Sequence, residues 1–356
     1  MFNILIAILT IQLVIFVHEL GHFLVAKKLG IDVYEFCVGF GPKIFSFKKN
    51  ETVYTLRAIP LLGHVLFDDI DELENKEAND IEKNNSKPIS TSENHIKNKG
   101  YLAELAVYLS GPFFNFLAAF IVLCGMYIYS GFPSTTIHEV VLDSPAYIAG
   151  IESGDTIVQI ENVVINKWED ISTTINKLKK DSINIKVKNS ENQLKTIVVE
   201  PKYDKDTDFY SIGVSPLFKK DIFKSIGHGF ESTINNIIFY IEHISDLILN
   251  LFTKNNNQNV ELSGPIGTIQ VISEQSKESM SSLISMFVAL NINIGVINLI
   301  PFIPVLDGGQ ATIRTFEALS KKKLNENLNF YIKLSGAVVL IGIMIFITFK
   351  DIVNLF

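Results

Sequence analysis

Four long apolar stretches constrain the fold of this 356-residue chain more than any other feature of its sequence. Each is long enough to cross about 30 Å of hydrocarbon as a helix, which takes about 20 residues. Only 19% of the residues are charged, against roughly 25% in an ordinary soluble domain. The sequence therefore predicts an α-helical polytopic membrane protein with about four transmembrane helices, within residues 1–30, 101–131, 283–310 and 331–350.

The distribution of charge excludes one class of partner and predicts an orientation. A formal net charge of −7, without a basic stripe, argues against a nucleic-acid partner. Lysines follow the first span, precede the second and recur in the loop 311–330, so we expect these loops to be cytoplasmic. Both termini and the long segment after the second span are then extracytoplasmic. The first span lacks a basic leading segment and a small-residue cleavage site, so we expect it to be retained.

The segment between the first two spans divides into two parts. Residues 31–67 alternate like short strands and predict a membrane-associated β-hairpin that turns at Lys49 and Asn50. Residues 68–100 are charged and rich in asparagine, and they contain few large apolar side chains. We expect this second part to be a flexible cytoplasmic insert, because it cannot bury enough apolar surface to fold.

The segment after the second span begins as a small inserted α+β domain over residues 134–216. Its sequence has a helical start, a Ser-Gly-Asp turn, an alternating strand and a further hairpin. Residues 219–275 follow as an amphipathic helical region that we interpret as a gate. A fifth span in this region is disfavoured, because Glu242, His243 and Asp246 would lie in lipid.

The motif HELGH lies inside the first span. On a helix His18 and His22 share one face, and two imidazoles at that spacing suit Zn²⁺. Glu19 is then placed to act as general base towards a water molecule. The alternative is a chance pentapeptide. An acidic side chain at the centre of a membrane helix costs at least about 2.5 kcal/mol, so an idle role is disfavoured.

A catalytic zinc site takes a third protein ligand. Asp307 closes the broken third span in NLIPFIPVLDGGQ, and we expect Gly308 and Gly309 to let the backbone turn tightly beside it. His64, in an apolar part of the predicted hairpin, is the alternative. The residues favour Asp307 and leave His64 open.

These motifs and their order resemble the site-2 protease family of intramembrane zinc metalloproteases, in its bacterial RseP/RasP-like branch with a single PDZ-like domain. The resemblance implies one zinc ion per chain, held by His18, His22 and Asp307, with Glu19 as general base. It also implies a bacterial cell (inner) membrane location and an extracytoplasmic PDZ-like domain at 134–216. The matching segments are HELGH, FCVGFGPKIFSF, YTLRAIPLLGHV, SGPFFN, SPAYIAGIESGDTIVQI, LSGPIGTIQV and NLIPFIPVLDGG.

The same resemblance assigns roles to residues of the second and third spans. Asn298, just before Pro301, matches the family's substrate-clamping asparagine, and we assign both residues to substrate binding; helix packing is the alternative role of Asn298. Gly111, Pro112 and Asn115 of SGPFFN are expected to be structural, through close helix packing and a hydrogen bond near the catalytic helix.

The chain departs from the family pattern at three places. It has LLGHV, with His64, where the family usually has GGYV, and Gln310 where LDGGH is usual; the acidic insert is also unusual. None of these changes removes a predicted zinc ligand or the base. The first places an additional histidine near the metal.

The expected activity is regulated intramembrane proteolysis. Its substrates would be transmembrane segments of pre-cleaved single-span proteins, such as anti-sigma factors, or remnant signal peptides, after a first cut by a site-1-type protease. A catalytically idle PDZ-bearing membrane scaffold is the alternative, which the intact HELGH and LDGG disfavour. A metal transporter would need repeated halves that the sequence lacks. The PDZ-like domain either binds a chain terminus by strand addition or excludes large ectodomains.

Overall fold

The computed structural model describes residues 2–67, 94–204, 209–253 and 264–354. By contacts the chain divides into two units, one of residues 1–123 and 232–356 and one of residues 124–231. In chain order the elements are α1 (Phe2–Lys28), β1 (Glu35–Lys49), β2 (Thr52–Leu66), a 3₁₀ turn (Ile96–Asn98), α2 (Tyr101–Ser130), β3 (Phe132–Val140), α3 (Pro145–Ile148), β4 (Thr156–Ile160), β5 (Val163–Val164), α4 (Trp168–Leu178), β6 (Ile183–Lys188), β7 (Leu194–Val199), β8 (Lys202–Asp204), β9 (Phe209–Ser211), β10 (Val214–Lys219), α5 (Ile222–Thr253), α6 (Pro265–Glu278), α7 (Met280–Asn298), α8 (Asp307–Ser320) and α9 (Glu326–Asn354).

Four helices are long and apolar enough to cross a membrane, namely α1, α2, α7 and α9. Each overlaps one of the four predicted spans, and no other helix in the described ranges meets the same criteria of length and hydropathy. The protein is therefore a polytopic membrane protein. The side of the membrane on which each loop lies stays a prediction.

In the first unit, α1 and α2 approach very closely. A Cβ atom on Gly21 of α1 would lie 2.5 Å from the backbone oxygen of Ser110 in α2. That separation is too short for any side chain, so only glycine permits this backbone approach. The contact brings the HELGH face of α1 against the SGPFFN segment of α2.

The hairpin of β1 and β2 turns at Asn50, as the sequence predicts, and Asn50 has a positive φ of 55°. The hairpin also folds back on itself, because the beginning of β1 pairs with both ends of β2. Cys37 is opposite both Thr55 and His64. Residues 35–38 are therefore central, and residues 63–66 form an outer strand, a name kept below.

The end of the charged insert differs from the prediction. The sequence predicts an unfolded stretch through residue 100, but Ile96 lies in a small core that also contains Ile31, Val33 and Val107. The Asp32 amide donates a hydrogen bond to the Asn94 carbonyl at 3.1 Å. The single apolar side chain of Ile96 holds the end of the insert in place, because it packs into this core. The rest of the predicted insert, 68–93, lies outside the described residues.

The third span and the loop after it also differ from the prediction. The expected span 283–310 is interrupted, since α7 ends at Asn298 and α8 begins at Asp307. The first half of the expected loop 311–330 belongs to the helix α8 instead, and its last five residues belong to α9. The two prolines of PFIP prevent α7 from continuing. The residues that follow them alternate polar and apolar faces and form α8 as a separate amphipathic helix.

The second unit contains a sheet of strand order β10-β3-β4-β6-β7, with β5 paired to β4. The helical start, the turn before β4 and the β6–β7 hairpin fall where the sequence predicts them. Its core consists of aliphatic side chains from the sheet and from α3 and α4, including Ile137, Ala146, Ile157, Ile160, Ile171, Ile175, Ile183, Ile185, Val187 and Val199. This small α+β unit agrees in class with the predicted inserted domain; its PDZ-like character stays a prediction.

Candidate metal centre

Three ligand atoms converge between α1 and the first turn of α8. Nε2 of His18 lies 3.0 Å from Oδ2 of Asp307, and Nε2 of His22 lies 3.4 Å from the same oxygen. The two Nε2 atoms are 3.2 Å apart. The three predicted zinc ligands are thus brought together in the structure.

The spacing of these atoms fits a tetrahedral zinc ion. Zinc–nitrogen bonds of 2.0–2.1 Å place two ligands of a tetrahedron about 3.3 Å apart. Neutral imidazole nitrogens and a carboxylate oxygen otherwise present lone pairs to one another, and buried Oδ2 of Asp307 has no conventional hydrogen-bond donor. A cation at the point they share satisfies all three, so the residues fit the metal.

Contacts of the other ring nitrogen, Nδ1, set the orientation of the His22 imidazole. Its Nδ1 lies 2.8 Å from the Val107 carbonyl oxygen, to which only a protonated Nδ1 can donate. That tautomer leaves Nε2 unprotonated and able to bind metal. The Ser110 hydroxyl lies 3.5 Å from the same Nδ1.

Asn115 makes the matching contact with His18. Its side-chain amide lies 3.3 Å from His18 Nδ1, and its own Oδ1 is buried without a partner. The two orientations of an amide have the same shape, and turning this one over lets the oxygen accept the Nδ1 proton. His18 Nε2 is then also free for metal. Asn115 therefore holds the orientation of the His18 imidazole.

Gly111 provides the space beside the two imidazoles. A Cβ atom there would lie 2.4 Å from His22 Nε2 and 2.7 Å from His18 Nε2. Any larger residue would occupy the position that the ligand atoms surround. The neighbouring Pro112 lies inside α2, where it has no N–H to donate to the preceding turn.

Gly308 and Gly309 differ in role from the prediction. They lie in the first turn of α8 and have no positive φ, so they do not form a tight turn. A Cβ atom on Gly308 would lie 2.3 Å from the Leu299 carbonyl oxygen, and one on Gly309 would lie 2.0 Å from that of Ile303. Both glycines are needed because the start of the helix packs directly on the preceding backbone.

An ion-pair network that the sequence analysis missed connects α2 to α8. Arg314 pairs with Glu104 of α2 and with Glu317 of its own helix. Glu104 is 1% exposed, and the Tyr101 hydroxyl bonds the Thr315 hydroxyl at 3.0 Å beside it. The network fixes the helix that begins with Asp307. The sequence signal for this network is Glu104, an acidic residue in the first turn of an otherwise apolar helix.

Glu19 lies next to the outer strand of the hairpin. It interacts electrostatically with His18, His22 and Asp307. A Cβ atom on Gly63 would lie 3.0 Å from Cγ of Glu19, so the strand passes close to the predicted base. His64 lies outside the group formed by His18, His22 and Asp307. Its Nε2 lies 3.3 Å from Oε2 of Glu35 instead.

Asn298 and Pro301 lie at the end of α7 and in the break that follows. The Asn298 amide donates to the Ile294 carbonyl at 3.0 Å, which uses one of its two N–H groups. Pro301 lines an apolar cavity of about 250 Å³, together with Phe116, Ile237, Ile241, Ile244, Ser245, Val296, Leu299, Ile300 and Phe302. Gln310 donates to the Pro304 carbonyl and so binds the break from the side of α8.

Comparison with known proteins identifies a family and several relatives. The sequence pattern of peptidase family M50 matches residues 6–343. A protein of Clostridium acetobutylicum that carries the name "Putative zinc metalloprotease" is 32% identical over 99% of this chain and 98% of its own. A protein of the same description from Clostridium perfringens is 30% identical over 98% of both chains. The "Regulator of sigma-W protease RasP" of Bacillus subtilis is 28% identical over 96% of each.

Proposed function

Because the chain belongs to peptidase family M50, the site-2 proteases, and is a zinc metalloprotease of the membrane, we propose that it hydrolyses peptide bonds inside transmembrane segments, using His18, His22 and Asp307 as zinc ligands. One observation carries the residue assignment: the three ligand atoms converge at mutual distances of 3.0–3.4 Å beside Glu19, on a helix able to span a membrane.

The zinc ion, when bound, supplies polarisation of the scissile carbonyl and a water molecule of lowered pKa. Glu19 would act as the general base, accepting a proton from the attacking water and donating it to the leaving amine. Val107 and Asn115 keep both imidazoles in the tautomer whose Nε2 is unprotonated. Gly111 keeps the reacting volume open.

A transmembrane substrate has to unwind before it is cut, because a helical peptide bond is shielded by its own hydrogen bonds. The outer strand 63–66 lies next to Glu19 and offers a sheet edge on which an extended segment can pair. Asn298 then satisfies backbone groups that the unwound segment leaves without partners. The apolar cavity that includes Pro301 accommodates a hydrophobic side chain of the same segment.

The substrates we propose are single-span proteins already cut outside the membrane by a site-1-type protease, and remnant signal peptides. The name of RasP associates that relative with sigma-W, which supports an anti-sigma-factor-like substrate here. Residues 134–216, within the second unit, are proposed to be an extracytoplasmic PDZ-like domain that binds the new chain terminus or excludes uncut ectodomains. Together these proposed roles describe regulated intramembrane proteolysis.

Replacing Glu19 by Gln tests the proposal. The variant keeps the size and hydrogen-bonding capacity of the side chain but cannot take a proton, so it should fold, retain zinc and fail to cleave. Intact transmembrane fragments should then accumulate with it and identify the substrates. Normal turnover by Glu19→Gln would exclude the proposed base. An unchanged cellular phenotype in this variant would favour an idle PDZ-bearing scaffold.

A further inference from the structure

A second group of metal-ligating side chains lies on the hairpin and shares no residue with the first. Glu35 and Cys37 are two residues apart in β1 and so project from the same face. His64 is the cross-strand partner of Cys37 in the outer strand. One ligand atom from each of the three residues lies within 4.8 Å of the other two.

The carboxylate of Glu35 is buried, and one of its oxygens lacks a hydrogen bond. Glu35 is 3% exposed, and its Oε2 lies 3.3 Å from Nε2 of His64. Its Oε1 has no hydrogen-bond partner; the nearest cationic atom is NH2 of Arg57, at 3.8 Å. An unsatisfied buried polar atom is costly, by about 1–3 kcal/mol and more when charged. The Glu35 carboxylate therefore keeps acceptor capacity that a cation placed among the three residues can use.

Arg57 is compatible with a cation at this place. Its Nε donates to Cys37 Sγ at 3.1 Å, and its NH1 donates to the Gly41 carbonyl at 3.1 Å. Residues that surround a metal site, without binding the metal themselves, commonly donate hydrogen bonds to a metal-bound sulfur. The His64 side chain is 46% exposed, so the imidazole side of the cluster is open to solvent.

We propose that Glu35, Cys37 and His64 bind a second divalent transition-metal ion, of the zinc class, separate from the catalytic ion. A thiolate, an imidazole and a carboxylate are the donors that zinc prefers. Burial raises the pKa of the Cys37 thiol, which Arg57 only partly offsets. Binding therefore breaks the S–H bond as the sulfur–metal bond forms, and the proton leaves to solvent.

The second ion would be held more weakly than the first and would stabilise the hairpin. The His64 side chain is 46% exposed, so this ion can exchange with solvent. The bound ion would join the central segment 35–38 to the outer strand 63–66, in addition to the hydrogen bonds of the ladder. The second site assigns a role to His64, which is not needed as a ligand in the centre formed by His18, His22 and Asp307.

Cobalt substitution separates the two sites, because only the second contains sulfur. Metal-depleted protein in detergent is titrated with Co²⁺ alone, and sulfur-to-cobalt charge-transfer absorption in the near ultraviolet is recorded. The wild type and Cys124→Ser, a matched control at the other cysteine, should both develop this absorption. Cys37→Ser should lose it and bind about one equivalent of cobalt less. His18→Ala should retain the absorption, since it affects only the first site.

Three results would overturn the second site: no charge-transfer absorption in the wild type, the same absorption in Cys37→Ser, or unchanged cobalt stoichiometry in that variant. If Cys37→Ser fails to fold, His64→Ala decides, because this side chain is half exposed and is not part of the core. It should shift the cobalt titration to at least about tenfold higher concentration, as expected for loss of a ligand or its close support. An unchanged titration midpoint would contradict the assignment.

Discussion

Nε2 of His18 lies 3.0 Å from Oδ2 of Asp307, so the first span and the first turn of α8 present lone pairs to one point. Neither residue can bind a metal tightly on its own. Their meeting depends on the close approach of α1 to α2 at Gly21 and on the packing of α8 against the break before it. The proposed ligand set therefore depends on the packing of four segments.

Removing any of the three proposed ligands should remove the catalytic zinc. His18→Ala, His22→Ala and Asp307→Ala should each contain about one zinc equivalent less than the wild type, because three protein ligands are the minimum of a catalytic site. Metal analysis of detergent-purified protein measures this, with Asn298→Ala as a control of normal content. Unchanged zinc in Asp307→Ala would reject Asp307 as the third ligand.

Gly111→Ala should weaken zinc binding by at least about 10- to 100-fold, since the added methyl group would lie within 2.7 Å of both Nε2 atoms. Gly125→Ala is the matched control on the same helix, because a Cβ atom there has no neighbour within 4 Å. Gly125→Ala should leave zinc binding unchanged and stabilise the helix by about 0.5–1 kcal/mol. Equal zinc affinities in the two variants would mean that the imidazoles can move away from position 111.

Asn298→Ala should lower cleavage roughly ten- to hundredfold without changing zinc content. The unwound substrate loses a hydrogen-bond partner, a loss of about 1–3 kcal/mol if felt fully in the transition state. Substrates with Gly or Pro near the cut unwind more easily, so they should lose less activity than a leucine-rich segment. Cleavage assays on paired substrates measure the difference. Equal losses would assign Asn298 to helix packing.

Breaking the Glu104–Arg314 pair should destabilise the first unit. Removing one partner of a buried ion pair costs about 3–5 kcal/mol, and we expect the lower end because Arg314 is 22% exposed on its side chain and retains Glu317. Glu104→Gln should therefore lower the unfolding temperature. The double variant Glu104→Leu, Arg314→Met should recover part of the loss. Strictly additive losses would show that the two residues are not coupled.

The proposed orientation can be measured with topology reporters. A reporter inserted after Asp204 should be extracytoplasmic, and one inserted within residues 68–93 should be cytoplasmic, because the lysines flank the latter segment. Paired reporters that are active only in or only outside the cytoplasm provide the control. An extracytoplasmic signal from 68–93 would reverse the orientation and the side on which the product is released.

The sequence alone determines the parts of this protein that depend on local pattern. Hydropathy over about 20 residues identifies the four spans, and the i, i+4 spacing places His18 and His22 on one face. The hairpin turn at Asn50 follows from the same kind of short-range preference. In each case the physical cause acts within a few neighbouring residues, so it can be seen in the chain itself.

Only the tertiary structure decides which distant groups meet. It orients Asn115 towards His18, pairs Glu104 with Arg314, and shows Gly308 to be a packing residue in a helix where the sequence predicts a turn. The register of the hairpin likewise places His64 opposite Cys37. Such contacts depend on how helices pack and strands align over long separations. No local preference encodes these distances, because each is set by the combined packing of many side chains.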